Sequence, residues 1–282
     1  MPTVTRDRYD ALVFDLDGTL LDGEGRLAPA TKDAVDRVRA LGYLVVLATG
    51  RSAHGTAEVH RTLGLDTEMV AYNGAWIGHD ADGEPWHCAT IPDDLVGRLD
   101  AVESRAAFLF RHHRDAKLTP RTAHPEHERV TRWYTNAVLV DAAAPALPTR
   151  DLLRVSLFFD DAARTDAAWA ALEDDVRARL HREVFPMSLF PEFRDTGLVL
   201  CELQRRGRGK AEALRLLAER YGVPAARVVA FGDQANDLPL LSEVGLAVAM
   251  GNAIEPAKAV ADLVIGPHDT DGVARFLGAE VG

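Results

Sequence analysis

The stretch Ala11–Asp22, ALVFDLDGTLLD, decides how this chain is read. Leu12, Val13 and Phe14 form a short apolar run of strand-like residues, and it ends in two aspartates one residue apart, followed by a glycine and a threonine. No cationic residue stands within the stretch to balance those acids. In an open parallel sheet, ligands bind in the crevice beyond the carboxyl ends of the strands. A buried strand that delivers acids to that end is therefore built for a ligand. Residues i and i+2 of an extended segment face the same way, so Asp15 and Asp17 are expected to address one ligand.

The flanking sequence repeats the pattern. APATKDAVDRVRALG (28–42) places Ala34, Val38 and Leu41 at helical intervals and stops at Gly42, a glycine suited to the C′ position. YLVVLATGRS (43–52) is a buried strand running into Thr49-Gly50-Arg51, and EMVAYNGAWIG (68–78) is another that ends at Asn73-Gly74. Further on, the helix AEALRLLAERYG (211–222) precedes the strands RVVAFGDQAND (227–237), LAVAM (246–250) and ADLVIG (261–266). Alternating strands and helices predict a doubly wound, mostly parallel α/β core.

Between these halves the texture changes. From about Asp82 to Pro186 the chain carries a histidine- and arginine-rich stretch (110–134), then the strand RVSLFF (154–159) and an Ala-rich helix, DAAWAALEDDVRARL (166–180). This reads as an insertion, giving a first core segment 1–82, an inserted α/β domain 83–188 and a second core segment 189–282 opened by the strand LVLCEL (198–203). DAAAPALPTR (141–150) is a local linker or loop.

A chain of 282 residues with 47% hydrophobic and 27% charged residues has the composition of an ordinary globular protein and can bury a substantial core. The formal net charge of −11 argues against a general nucleic-acid or anionic-membrane binder, because a field of that sign repels both. Two cysteines, Cys88 and Cys201, are too few for a disulfide scaffold. With no apolar leader and no apolar run of roughly 18 residues, a soluble cytoplasmic protein is expected, monomeric or homodimeric.

Three strand readings end in polar residues: Asp15 and Asp17, Thr49, and Asp233 with Asn236 and Asp237. A parallel sheet brings such ends together, and the resulting acids repel one another without a cation. An all-oxygen set of this kind suits Mg²⁺. A phosphate beside it needs donors, and Thr49 offers a hydroxyl, Gly50 an N–H at an expected helix start, and Lys210 a point charge. Lysine occurs only at positions 32, 117, 210 and 258 in this arginine-preferring chain.

DLDGTLLD, ATGR, GKAEAL and GDQANDLPLL, taken in order, resemble the four motifs of the haloacid dehalogenase superfamily, and AYNGA and LAVAMGNA are similar to its Cof-type sugar-phosphatase branch, whose large α/β cap is inserted between the second and third motifs. The resemblance implies that Asp15 attacks phosphorus to form an aspartyl-phosphate, and that Asp17 acts as general acid and then general base. It further implies that Thr49 and Lys210 hold the phosphoryl oxygens. Mg²⁺ would sit on Asp15, the Asp17 backbone carbonyl and Asp233, with Asn236 and Asp237 completing contacts to phosphate, metal waters or Lys210 and Asn73 adding to the phosphate site. Threonine-bearing P-type ATPases differ at the position of Asp17. One departure is Ala211, where the family commonly has glycine, and another is the basic approach RRGRGK.

The implied activity is hydrolysis of a small soluble phosphomonoester, a sugar phosphate or related metabolite, with the inserted domain choosing the substrate. A phosphomutase of the same fold and a non-catalytic metabolite-binding protein are the alternatives. Read singly, Thr49 is a helix N-cap, Lys210 a solvated helix-start lysine and Asn73-Gly74 a tight turn. DLDGT does not continue as a calcium loop, since the bidentate position falls on Arg26, and GRGK lacks the Ser or Thr of a Walker loop. His112, His113, His124 and His127 read as a solvated surface rather than a zinc site, and Arg205, Arg206 and Arg208 as a salt-bridged turn.

Overall fold

Ala11–Phe14 is a fully buried strand inside a five-stranded sheet. The strand order is Leu263–Val264, Leu246–Ala249, Val228–Gly232, Ala11–Phe14, Leu44–Leu47, and every pairing is parallel. These strands are continuous apolar runs rather than alternating ones, as a sheet covered on both faces requires. The computed structural model describes residues 4–114, 116–134, 137–140, 147–207 and 209–281.

The chain winds outward from Ala11–Phe14 to Leu44–Leu47, and later from Val228–Gly232 in the opposite direction through Leu246–Ala249. The order therefore reverses between Ala11–Phe14 and Val228–Gly232, which is where a doubly wound sheet opens a crevice. Phe14 pairs with Phe231 in register, their rings stacked 4.5 Å apart, so the residues after them emerge side by side. The helix expected over 28–42 is Pro29–Ala40, with Ala34, Val35 and Val38 buried. The strand expected to end at Asn73-Gly74 is Met69–Ala71, and across the turn at Tyr72–Gly74 it pairs antiparallel with Trp76–Gly78.

The chain divides into two compact units, Met1–His87 with Arg208–Gly282, and Cys88–Gly207. The second holds a six-stranded sheet in the order Leu180–Pro186, Val199–Arg205, Leu152–Phe159, Phe108–His113, Lys117–Pro120, Ala137–Val140, antiparallel except for the last pair. One face packs Val155, Leu157 and Leu203 against Leu95, Ala168 and Val176 of helices and Leu99 of a turn. The other packs Phe108, Phe110 and Phe158 against Val130, Met187 and Phe193.

LVLCEL belongs to the inserted unit, because Val199–Arg205 pairs with Leu180–Pro186 and Leu152–Phe159, so that unit runs to Gly207 rather than 188. A fully buried edge-to-edge strand has the same apolar texture in either sheet, and only its pairing tells which. The helix expected over 166–180 is two, Ala162–Ala170 and Asp174–Arg179, since Leu172 turns into the core and Arg177 bonds the carbonyls of Ala170 and Leu172 between them. His112 and His127 are buried, not solvated, and bond the hydroxyls of Ser156 and Thr119. Residues 141–146 of the Ala-Pro segment and Arg208 lie outside the described residues.

Candidate active site

Asp15 follows Phe14 directly, and its N–H donates to the Phe231 carbonyl at 3.1 Å, which continues the sheet pairing by one residue. Its carboxylate is buried. Lys210 stands in the turn that precedes the helix Glu212–Tyr221 and is 1% exposed. Its Nζ lies 2.8 Å from Asp15 Oδ1 and 2.7 Å from Asp237 Oδ1. Lys210 is thus no solvated helix-start lysine.

The loop after Val228–Gly232 supplies the remaining acids. Asp237 Oδ2 accepts the N–H groups of Asp233 and Gln234, both at 2.9 Å, so Asp237 shapes the loop with one oxygen and holds Lys210 with the other. Asp233 Oδ1 accepts from the Thr19 hydroxyl at 3.3 Å, and its Oδ2 from the Gln234 and Asn252 amides at 3.0 and 3.4 Å. Gly18 explains the glycine of DLDGT. It has φ +80°, and a Cβ there would stand 2.4 Å from Asp233 Oδ2.

Asp15, Asp233 and Asp237 each bring a carboxylate oxygen within 4.8 Å of the others. Three buried carboxylates against one buried ammonium leave a formal charge of −2. The acid–base equilibria register that excess. Burial pushes Asp15 well above the usual carboxylate range, with the Asp237 and Asp233 charges adding to it and Lys210 opposing. Burial and the Asp237 carboxylate push Asp233 up to about 6. Burial disfavours the charged form of Lys210, yet Asp15 and Asp237 together hold its pKa above the ordinary lysine value. A divalent cation matches both the missing charge and the all-oxygen donor set.

Asp17 does not share this environment. The strand ends at Phe14, so the alternation that would align Asp15 with Asp17 does not extend that far. The Asp17 side chain is half-exposed and is gripped by Arg51, with Nε to Oδ2 at 2.8 Å and Nη2 to Oδ1 at 2.5 Å. Arg51 carried no assignment from sequence, because nothing in the spacing couples positions 17 and 51. Thr19 and Asn252 were also missed, although both lie inside motifs already singled out.

Thr49 is buried, and its Oγ1 accepts the Arg51 N–H at 3.1 Å. It caps no helix: the N-cap is Ser52, whose hydroxyl accepts the Gly55 N–H, and the helix begins at Ala53. Gly50 consequently precedes the helix rather than opening it. A Cβ on Gly50 would lie 3.4 Å from Asn73 Oδ1 and 3.6 Å from Asn236 Nδ2, and those two amides bond each other at 3.1 Å. Asn73 occupies the left-handed region at φ 51°, ψ 42°. The next residue, Gly74 at φ +87°, seats that turn on the Lys210 turn, since a Cβ there would be 2.3 Å from the Gly209 carbonyl. Thr49, Gly50, Asn73, Lys210 and Asn236 are therefore gathered by interlocking turns.

Ala211 and, among the described residues, the basic approach RRGRGK leave this arrangement intact. Ala211 is fully buried in the core, and Lys210 makes both ion pairs beside it. Arg205 is exposed, and Arg206 Nε bonds the Leu180 carbonyl at 3.3 Å. In the inserted unit His113 bonds the Arg150 carbonyl and His124 the Asp160 carboxylate, both at 3.0 Å, so with His112 and His127 the four serve separate contacts. Among the described residues no helix is long and apolar enough to cross a membrane.

A family model for haloacid dehalogenase-like hydrolases matches residues 12–277. The chain is 30% identical over 284 residues to the Bacillus subtilis 5-amino-6-(5-phospho-D-ribitylamino)uracil phosphatase YitU, covering 94% of this chain and 95% of the relative. It is 29% identical over 282 residues to the Escherichia coli pyridoxal phosphate phosphatase YbhA, covering 94% and 96%. The crystal structure of a haloacid dehalogenase-like hydrolase from Bacteroides thetaiotaomicron shares the fold, with a TM-score of 0.78 at 24% identity over 96% of this chain and 98% of that one. The same four motifs whose ends meet around Asp15 thus lie inside the matched span, and the chain belongs to the haloacid dehalogenase-like hydrolases and, within them, to the Cof-type phosphatases.

Proposed function

We propose that this chain is a Mg²⁺-dependent phosphatase that releases phosphate from a small soluble phosphomonoester, a sugar phosphate or related metabolite, through an aspartyl-phosphate on Asp15. The observation that carries the proposal is the Asp15 carboxylate, buried at a strand end, with one oxygen held by Lys210 and an unbalanced charge of −2 around it. Asp15, the Asp17 backbone carbonyl and Asp233 would hold the ion, with Asp237 behind them. When bound, Mg²⁺ supplies the positive charge that admits a phosphate dianion among carboxylates.

Lys210 fixes the rotation of the Asp15 carboxylate, so that its second oxygen attacks phosphorus as the bond to the leaving oxygen breaks. Asp17 gives that oxygen its proton. Asp17 then takes a proton from a water that attacks the aspartyl-phosphate, which frees inorganic phosphate and restores Asp15. The Thr49 hydroxyl, the Gly50 N–H and Lys210 hold the equatorial phosphoryl oxygens, with Asn236 and Asn73 as amide partners, since this chemistry depends mainly on positioning and charge stabilisation.

The names of YitU and YbhA support the substrate class, because each specifies a small metabolite bearing a phosphate ester. Selection of the alcohol is assigned to the inserted unit. Its sheet sets Gln204, Arg154, His112 and Lys117 in register on neighbouring strands as a buried polar row.

A panel of sugar phosphates, nucleotides and cofactor-precursor phosphates, assayed with Mg²⁺ for phosphate release, tests the proposal. Turnover is expected on at least one small monoester, to stop with EDTA, and to be abolished in a folded Asp15→Asn variant. Substantial turnover in that variant removes Asp15 as nucleophile, and isomerisation of a hexose phosphate without phosphate release makes the chain a mutase.

A further inference from the structure

The fork between Arg51 and Asp17 has no part in the roles assigned above. Its two bonds, at 2.8 and 2.5 Å, run from different guanidinium nitrogens to different carboxylate oxygens, so they fix the plane of the carboxylate as well as its position. The main chain of Arg51 is itself held at both ends. Its N–H donates to Thr49 Oγ1 at 3.1 Å, and its carbonyl accepts the Tyr72 N–H at 2.8 Å. The guanidinium is thus rooted between Thr49 and the turn that carries Asn73.

The two side chains are 30% and 50% exposed, so solvent screens their attraction and the pair adds little to stability. What two bonds of this geometry accomplish at a screened site is placement. A carboxylate that gives a proton to a leaving oxygen and takes one from water must lie within hydrogen-bond reach of both, and geometry governs that task before acidity does. The main chain of Asp17 is tied by a bridge pairing to Leu21 in the following loop.

We infer that Arg51 is the positioning residue of Asp17: it sets the orientation in which the proton carrier meets the leaving oxygen, and it does not itself bind the transferring phosphoryl group. The inference rests on the reading of Asp17 as proton carrier. Lysine cannot substitute fully, because a single ammonium lacks the fork that fixes a carboxylate plane.

Steady-state kinetics of Arg51→Ala, Arg51→Lys, Asp17→Asn and the Arg51→Ala/Asp17→Asn double variant test it, on the best alkyl phosphate of the substrate panel and on p-nitrophenyl phosphate, whose leaving group needs little protonation. Arg51→Ala is expected to lower kcat on the alkyl ester by about tenfold to a hundredfold, part of the factor general acid–base catalysis supplies. KM should stay within about threefold, the loss on p-nitrophenyl phosphate should be clearly smaller, and Arg51→Lys should recover only part of kcat. In the Asp17→Asn background, removing Arg51 should cost no more than about twofold. A rise mainly in KM, an equal loss on both esters, or the full loss in the Asp17→Asn background overturns the inference and makes Arg51 a substrate contact or a structural residue. Normal turnover of Asp17→Asn on the alkyl ester overturns it by a different route, removing the proton-carrier reading itself. Should Arg51→Ala not fold, Arg51→Lys keeps the charge and carries the same comparison.

Discussion

Lys210 in the core unit and Lys117 in the inserted unit are each 1% exposed, yet their proton affinities move in opposite directions. Burial works against the charge of both. Around Lys210 the carboxylates of Asp15 and Asp237, within 2.8 Å, outweigh burial and hold the ammonium charged. At Lys117 burial and the Arg154 charge act in the same direction and push the pKa down to about 7. The difference teaches that a buried lysine is defined by what the fold aims at it. One is held charged between two buried carboxylates, and the other, on a strand of the inserted sheet, is pushed toward neutrality.

The largest break in that comparison is Lys210→Met. It leaves Asp15, Asp233 and Asp237 buried together with no cation, and removing one partner of a buried pair costs about 3–5 kcal/mol. Urea unfolding of the metal-free variant should show a loss of that order, and turnover with Mg²⁺ should fall by at least about 10²–10³-fold. Wild-type-like stability and activity would mean that Lys210 is peripheral.

Lys117→Met should do the reverse at neutral pH. The folded pKa of about 7 lies below the unfolded value. Between roughly pH 7 and 10 the unfolded chain therefore holds a proton that the folded chain has given up, and stability rises with pH. The rise is on the order of 4 kcal/mol if the whole shift is expressed. Unfolding measured at pH 7 and 9.5 should show this slope in the wild type and its absence in Lys117→Met, together with a gain in stability at pH 7. A slope that persists in the variant assigns it to another group.

The smallest effect belongs to the acids facing Lys210. Asp233, with a folded pKa of about 6, holds its proton longer in the folded chain than in the unfolded one. Its contribution to metal-free stability is present at about pH 4 and is lost as pH rises through 6, on the order of 3 kcal/mol, with Asp15 acting in the same sense. Saturating Mg²⁺ should flatten this loss by supplying the missing charge, and the apparent Mg²⁺ affinity should weaken below about pH 6 as protons compete. A metal-free pH profile with no fall between about 4 and 6 would contradict a net negative site.

Much of the core and its site was legible because its signals are local. Each buried parallel strand is a contiguous apolar run, and the polar residues at its end, Asp15, Thr49 or Asp233, sit at a fixed distance from it along the chain. The inserted unit was less legible for the same reason in reverse. Its sheet takes in Val199–Arg205 between Leu180–Pro186 and Leu152–Phe159, a strand whose apolar texture suits either sheet, and its helical stretch after Ala162 breaks at Leu172 because that side chain turns inward. His112 and His127 looked solvated beside so many charges, whereas strand register buries them against Ser156 and Thr119.

The sequence by itself determined which chemistry this chain carries: the ordered motifs, the α/β alternation and the acids at strand ends are all set by residue type and short-range spacing. Tertiary structure alone decided how the two aspartates of DLDGT part company. The strand stops at Phe14, so Asp15 turns into the buried crevice against Lys210, 195 positions away, while Asp17 turns toward solvent and Arg51. No local pattern encodes such partners, because a contact between distant residues exists only once the sheet has brought the ends of its strands together.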